Sequence, residues 1–182
     1  MDIQRTFVLD APLQRAWDFL KEPQEVGKCL PGCHTVEVIE AGKYTATIGA
    51  KVGPIKVGFN VQVDTKEERP PEYGAFSIRG ADKDGSSKIS ADCTLALKDI
   101  EGRQTEVTYT SKVQIIGKLG KFAGGVMQKF ADGINDQFVA ALIKRVIELE
   151  GVVAERAPVP SGFANRLQAI FRKLLEAIRR HL

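Results

Sequence analysis

The sequence is poor in the side chains that usually carry chemistry. It has two histidines, three cysteines, one tryptophan and two methionines in 182 residues. Zinc needs four ligands, or three and a water. Cys29, Cys33 and His34 are close in sequence, but Cys93 lies on a distant predicted strand and His181 at the far end. No metal site is therefore expected. The sequence has no Gly-x-Ser-x-Gly elbow and no Gly-x-Gly-x-x-Gly after a strand, and Gly117-Lys118-Leu119-Gly120-Lys121 lacks the phosphate-loop spacing. His34 has no nucleophile and carboxylate at a suggestive distance. These absences leave no catalytic residue to assign. No run of about 18 apolar residues exists, so no membrane-spanning helix is expected. The opening Met1-Asp2-Ile3-Gln4-Arg5 lacks the apolar stretch of a secretory signal. With an odd number of cysteines, this points to reduced thiols in the cytoplasm.

What is present is ordinary globular composition, 43% hydrophobic and 27% charged. The charge is unevenly spread. The net +3 is concentrated in residues 161–182, where Arg166, Arg172, Lys173, Arg179 and Arg180 stand against Glu176. Residues 1–150 have 20 basic and 21 acidic side chains. Nucleic acid is thus a poor partner for the body, and only the tail should seek negative charge.

Ile3–Leu9 alternates apolar and polar, as a first strand would. Asp10 is expected to cap a helix over Leu13–Lys21, with Pro12 in its first turn. Pro23 starts a short second helix to about Cys29, followed by the Leu30-Pro31-Gly32-Cys33 loop. Six strands in a meander are then expected: Thr35–Glu40, Lys43–Val52, Ile55–Glu68, Tyr73–Gly80, Ser87–Asp99 and Glu106–Ile116. Their turns carry Ala41-Gly42, Gly53-Pro54, Pro70-Pro71, Asp84-Gly85 and Glu101-Gly102. One sheet face is apolar and needs a cover. Leu119–Glu150 provides it: Leu119, Phe122, Val126, Phe130, Ile134, Phe138, Leu142, Val146 and Leu149 recur at spacings of three and four. Gly117, Gly120, Gly124 and Gly125 crowd the start of this helix, and each glycine weakens a helix by about 1 kcal/mol. They read either as a gate at a cavity mouth or as places of close backbone approach.

Strand, two helices, meander and long helix form an α+β helix-grip arrangement. A curved antiparallel sheet wraps one helix, and the concavity that the helix leaves unfilled becomes a pocket. The pocket candidates are Trp17, Phe59, Phe76, Phe122, Val126, Phe130, Ile134 and Phe138, although several of these must form plain core. Tyr44, Tyr109 and Ser111 are the polar strand residues that could face inward, or could be ordinary strand residues. Cys33 is expected near the rim as a small apolar residue.

Phe7-Val8-Leu9-Asp10-Ala11-Pro12 and Ala16-Trp17-Asp18-Phe19-Leu20 resemble the opening of the START-like (SRPBCC) superfamily. Cys29-Leu30-Pro31-Gly32-Cys33, Val52-Gly53-Pro54-Ile55-Lys56-Val57 and Gly117-Lys118-Leu119-Gly120 resemble the CoxG family of carbon monoxide dehydrogenase subunits. The resemblance covers about residues 1–150. It implies a non-catalytic companion of a carbon monoxide dehydrogenase or related molybdenum hydroxylase. It also implies a superfamily that binds lipids, sterols, polyketides and coenzyme Q. An apolar small molecule, a quinone or isoprenoid lipid held without a covalent bond, is then the expected ligand. A pure adaptor with an empty pocket and a START-like enzyme are the alternatives.

Residues 151–160, with Pro158 and Pro160, are expected to form an extended linker. Residues 161–182 form a separate block. Phe163, Leu167, Ile170, Phe171, Leu174, Leu175, Ile178 and Leu182 make one helical stripe, flanked by Arg166, Arg172, Lys173 and Arg179. This pattern suits an anionic bilayer surface, with the stripe sinking toward the acyl boundary and the cations meeting head groups. A protein groove or packing on the body or on a twin protomer would use the same stripe. The membrane reading places the protein at the inner face of the cell membrane.

Overall fold

The computed structural model describes residues 1–52, 55–121 and 124–156, with the side chains of Val52, Ile55, Gly124, Val126 and residues 152–156 outside the description. The chain divides into two units, Met1–Leu149 and Glu150–Leu182. The element order is β1 (Asp2–Leu9), α1 (Leu13–Lys21), α2 (Pro23–Cys29), β2 (Cys33–Glu40), β3 (Lys43–Val52), β4 (Ile55–Arg69), β5 (Tyr73–Asp82), β6 (Ser87–Ile100) and β7 (Gln104–Gly117). A single 3₁₀ turn, Leu119–Lys121, precedes α3 (Gly124–Arg156).

The strands form one seven-stranded sheet in the order β1-β7-β6-β5-β4-β3-β2. All neighbours are antiparallel. The meander follows from the short turns, and β1 joins it beside β7 over its whole length, from Asp2 opposite Lys112 to Leu9 opposite Thr105. Register sets what faces the concave side. Tyr44 stands opposite Val63, Val63 opposite Ile78, Phe76 opposite Cys93, and Leu95 opposite Tyr109. These pairs form one apolar belt across five strands.

Two local expectations are corrected. Asp10 does not cap α1: Pro12 holds the cap position with no side-chain bond, while Asp10 accepts a hydrogen bond from the Gln104 side chain. The carboxylate is used to tie β1 to β7. Helix α3 also runs past Glu150 to Arg156. Val152, Ala154, Glu155 and Arg156 contain no helix-breaking residue.

The main core lies under α1 and the later half of α3. Leu9, Ala16, Trp17, Phe19, Leu97, Val107, Leu142 and Val146 are buried together. A satellite cluster of Phe59, Val61 and Leu119, joined by Ile115, Met127 and Phe130, fills the sheet near the start of α3. Helix α3 is tied to the β1 edge by Arg5, which bonds Asp132 at 2.8 Å and Asp136 at 3.3 Å. It is tied to α2 by Arg145, whose Nε and Nη2 each lie 2.9 Å from Glu25 Oε2.

The buried stripe of α3 is Ala131, Asn135, Leu142 and Val146. This differs from the expected row of i, i+4 residues in the helix's earlier half. Each residue turns the helix by about 100°. Counting back from Leu142, Ala131 falls about 20° away, Ile134 about 80° and Phe130 about 120°. A strict four-residue repeat therefore drifts off the line of buried residues that Leu142 holds, and Phe130 packs instead on the satellite cluster. Asn135 takes the place of an apolar residue there and satisfies its amide by donating to the Ala131 carbonyl at 2.7 Å.

Candidate functional site

Between the sheet and the helices lie two neighbouring cavities, each of about 240 Å³. The inner chamber is bounded by the concave belt (Tyr44, Ala46, Val61, Val63, Ile78, Cys93 and Tyr109) and by Phe138, Val139 and Leu142 of α3. Pro23, Val26 and Gly27 of α2 line it with Leu30, Cys33 and Val36. No Lys, Arg, Asp or Glu lines it among the described residues. The outer chamber shares Leu20, Pro23, Tyr44, Phe76 and Leu95 with the inner one, and adds Trp17, Lys21, Glu22, Glu40, Thr65 and Glu68. It is the more polar of the two, and Lys21 and Glu68 face each other across 3.7 Å at its edge.

Local sequence explains why α2 can act as a wall. Pro23 opens this helix, and the Glu22 carboxylate accepts from the Gln24 N–H. Gly27 lets it lie directly on β2: a Cβ there would meet Val36 Cγ2 at 2.4 Å. Cys29 is buried and donates its thiol to the Glu25 carbonyl at 3.4 Å. The following loop is pinned by Gly32, at φ +79°, whose carbonyl accepts from Gly49 N–H at 2.7 Å.

The polar groups of the inner chamber are few. Cys93 Sγ lies 3.2 Å from Ser111 Oγ and 3.8 Å from Tyr109 Oη, a small network buried in the wall. Burial raises the pKa of the Cys93 thiol and, more strongly, that of the Tyr109 phenol. Burial is also the main cause that pushes the Tyr44 phenol up to about 12. All three are therefore protonated at neutral pH. Unlike Tyr109, Tyr44 has no protein hydrogen bond among the described residues. Cys33 is half-buried in the chamber wall, with its thiol pKa also raised by burial. Among the described residues, no group of three or more His, Cys, Asp and Glu could hold a metal.

The pocket candidates fall in different places. Phe76 and Phe138 line the inner chamber, Phe76 the outer one too, and Trp17 lines the outer chamber from within the main core. Phe59 and Phe130 pack in the satellite cluster, and Ile134 is half-buried and lines neither chamber. Phe122 and the side chain of Val126 lie outside the described residues. Gly117 and Gly120 lie against backbone: a Cβ would meet the Ser86 carbonyl oxygen at 2.0 Å and that of Ile115 at 2.6 Å respectively. Gly125 faces open space, and Gly124 is described only as helical backbone. None of the described residues between Ile115 and Phe130 lines either chamber. The tail residues Phe163, Arg166, Leu167, Ile170, Phe171, Arg172, Lys173, Leu174, Ile178 and Arg179 lie outside the described residues, as do residues 157–160. Sequence reasoning missed α2 as a wall. The signal was there in Pro23, Val26 and Leu30, apolar residues in a segment otherwise made of helix caps and turns.

Among the described residues, no helix is long and apolar enough to cross a membrane. Similar solved structures include a conserved protein from Geobacillus kaustophilus (20% identity, TM-score 0.74, covering 81% of this chain and 96% of that one). A START superfamily protein from Mycobacterium smegmatis is 9% identical with a TM-score of 0.66, covering 81% and 98%. The Zhui aromatase/cyclase from Streptomyces sp. R1128 is 14% identical with a TM-score of 0.59, covering 86% and 96%. At these identities the likeness shows the START-like fold alone. No curated protein is significantly similar in sequence. The sequence profile of the carbon monoxide dehydrogenase CoxG family matches residues 6–147, so the chain belongs to the CoxG family of carbon monoxide dehydrogenase subunits.

Proposed function

We propose that this protein is a non-catalytic carrier that holds an apolar ligand, a quinone or isoprenoid lipid, in its inner chamber. It serves a carbon monoxide dehydrogenase or related molybdenum hydroxylase from the cytoplasmic membrane surface. The observation that carries this reading is the chamber lined by sheet, α2 and α3, with no charged side chain among its described lining residues. Its polar side chains, two phenols and two thiols, are protonated donors and not a base, nucleophile and orienting acid in sequence. A dry cavity of about 150 Å³ holds a benzene-sized ring. A chamber of 240 Å³ thus suits a substituted ring, while a long isoprenoid chain needs the neighbouring chamber as well.

Membrane attachment is assigned to residues 161–182. Fully burying one Leu or Phe contributes about 1.5–3 kcal/mol, and each cation near an anionic surface about 1 kcal/mol. Eight apolar side chains and five cations therefore supply ample affinity even when partly engaged. The family gives the dehydrogenase as partner, and such an enzyme must pass its electrons to an acceptor. A carrier of membrane quinone beside it would close that gap.

Two measurements test this. Organic extraction of the purified full chain followed by mass spectrometry should yield a stoichiometric quinone or prenyl lipid. An empty protein that also fails to take up added quinone, yet still recruits the dehydrogenase to vesicles, would make it an adaptor only. Removing residues 161–182 should abolish flotation with anionic liposomes, and unchanged flotation would refute the membrane assignment. Turnover of a small substrate by the isolated protein would make it an enzyme.

A further inference from the structure

Among the described residues that line the inner chamber, one hydroxyl is left without a protein hydrogen bond. The Ser111, Cys93 and Tyr109 groups are engaged with each other in the chamber wall. Tyr44 lines both chambers, and its hydroxyl has no protein partner among the described residues. Its neighbours across the sheet, Val38 and Val63, are both apolar and offer it none. Tyr44 is half-buried and its hydroxyl remains open to the cavity, so this group is suited to meeting a hydrogen-bonding atom of whatever fills the space.

The charge pattern narrows the class. An ionised carboxylate or phosphate in the inner chamber would meet no cation among the described lining residues, and an unpaired charge in an apolar site is strongly disfavoured. The ionic groups, Lys21, Glu22, Glu40 and Glu68, all belong to the outer chamber. Three of these four are acidic, which disfavours an anion there as well. The other end is filled by Phe59, Val61, Leu119, Met127 and Phe130.

We propose that Tyr44 is the specificity-determining residue of the cavity: its Oη donates a hydrogen bond to a carbonyl-type acceptor on an uncharged apolar ligand, where the two chambers meet. This rests on the carrier reading and deepens it. It selects neutral ring ketones and quinones over fatty acids and phospholipids.

The test is isothermal titration of the full chain and its Tyr44→Phe variant with three probes. These are 2-methyl-1,4-naphthoquinone with a short prenyl chain, 2-methylnaphthalene with the same chain, and palmitate. A neutral hydrogen bond of ordinary strength corresponds to about a two- to twelve-fold change in affinity. Tyr44→Phe should lose that factor for the quinone and none for the hydrocarbon, whose binding also reports that the variant is folded. Palmitate should bind the unmodified chain at least about ten-fold more weakly than the quinone. Equal quinone affinity in both proteins, an equal loss for the hydrocarbon, or palmitate binding as tightly as quinone would each overturn the assignment of Tyr44 and leave the carrier standing. Failure of both ring probes to bind the unmodified chain would overturn the carrier and this inference together.

Discussion

If the interior is hollow at the belt and solid around Ala16, the same substitution should have opposite effects in the two places. Ala46 lines the inner chamber from β3. Ala46→Leu adds three carbons to a space that already exists. Each newly buried methylene contributes about 0.8 kcal/mol, and fixing the leucine side chain costs about 0.5–1 kcal/mol. The net is a stabilisation of about 1–2 kcal/mol, or a rise in Tm of about 2–8 °C for a domain of this length. Ala16 is fully buried in the main core, 0% exposed, and lines neither chamber. Ala16→Leu must displace packed neighbours, at a cost of about 1–3 kcal/mol. Differential scanning calorimetry of the two ligand-free variants reads both signs. Ala46→Leu should also weaken quinone binding, because it occupies part of the ligand's volume. A fall in Tm for Ala46→Leu as large as that for Ala16→Leu would mean that the chamber is packed, and the reasoning would fail.

Leu142 is 2% exposed and borders both core and chamber, so Leu142→Ala should cost about 2–5 kcal/mol in urea unfolding; a loss under about 1 kcal/mol would contradict its place in the core. The Glu25 carboxyl is held below its ordinary pKa by Lys28 first and Arg145 second. Its contribution is present above the unfolded-state carboxylate pKa and lost as pH falls through the lower folded one, so Tm should drop more steeply below about pH 4 in the native chain than in Glu25→Gln. Equal slopes would remove the clasp from the account. Cys29 and Cys93 are buried with raised pKa values. A thiol reagent at pH 8 should therefore titrate them slowly in the folded protein and at once in denaturant, and equally fast reaction in both states would refute their burial.

Much of the architecture was legible because period alone specifies it. Lys43–Val52 alternates so cleanly that Tyr44, Ala46 and Ile48 were placed on one face, and all three line the chamber. Pro23 marked the start of a short helix to about Cys29, which is the range of α2. The chamber itself was not legible. Its walls come from seven strands and three helices, and which residues meet depends on register across pairs such as Phe76 and Cys93, a long-range quantity. The aromatic row on α3 misled for a geometric reason: a repeat of exclusively four residues rotates around the helix, so Phe130 and Ile134 leave the face that Leu142 holds. The glycines before α3 were ambiguous, since glycine serves both mobility and close approach. Gly117 and Gly120 sit against carbonyls of Ser86 and Ile115. Capping was misjudged at Asp10 because its competing partner, Gln104, lies 94 residues away.

A ligand held in the inner chamber and reaching into the neighbouring one comes close to Trp17. Trp17 is the sole tryptophan and lines that chamber, so its emission reports occupancy directly. Titrating the ligand-free protein with a prenylated naphthoquinone should give saturable quenching with one-to-one stoichiometry. A linear, unsaturating loss of emission, matching that of free tryptophan under the same quinone concentrations, would contradict the account.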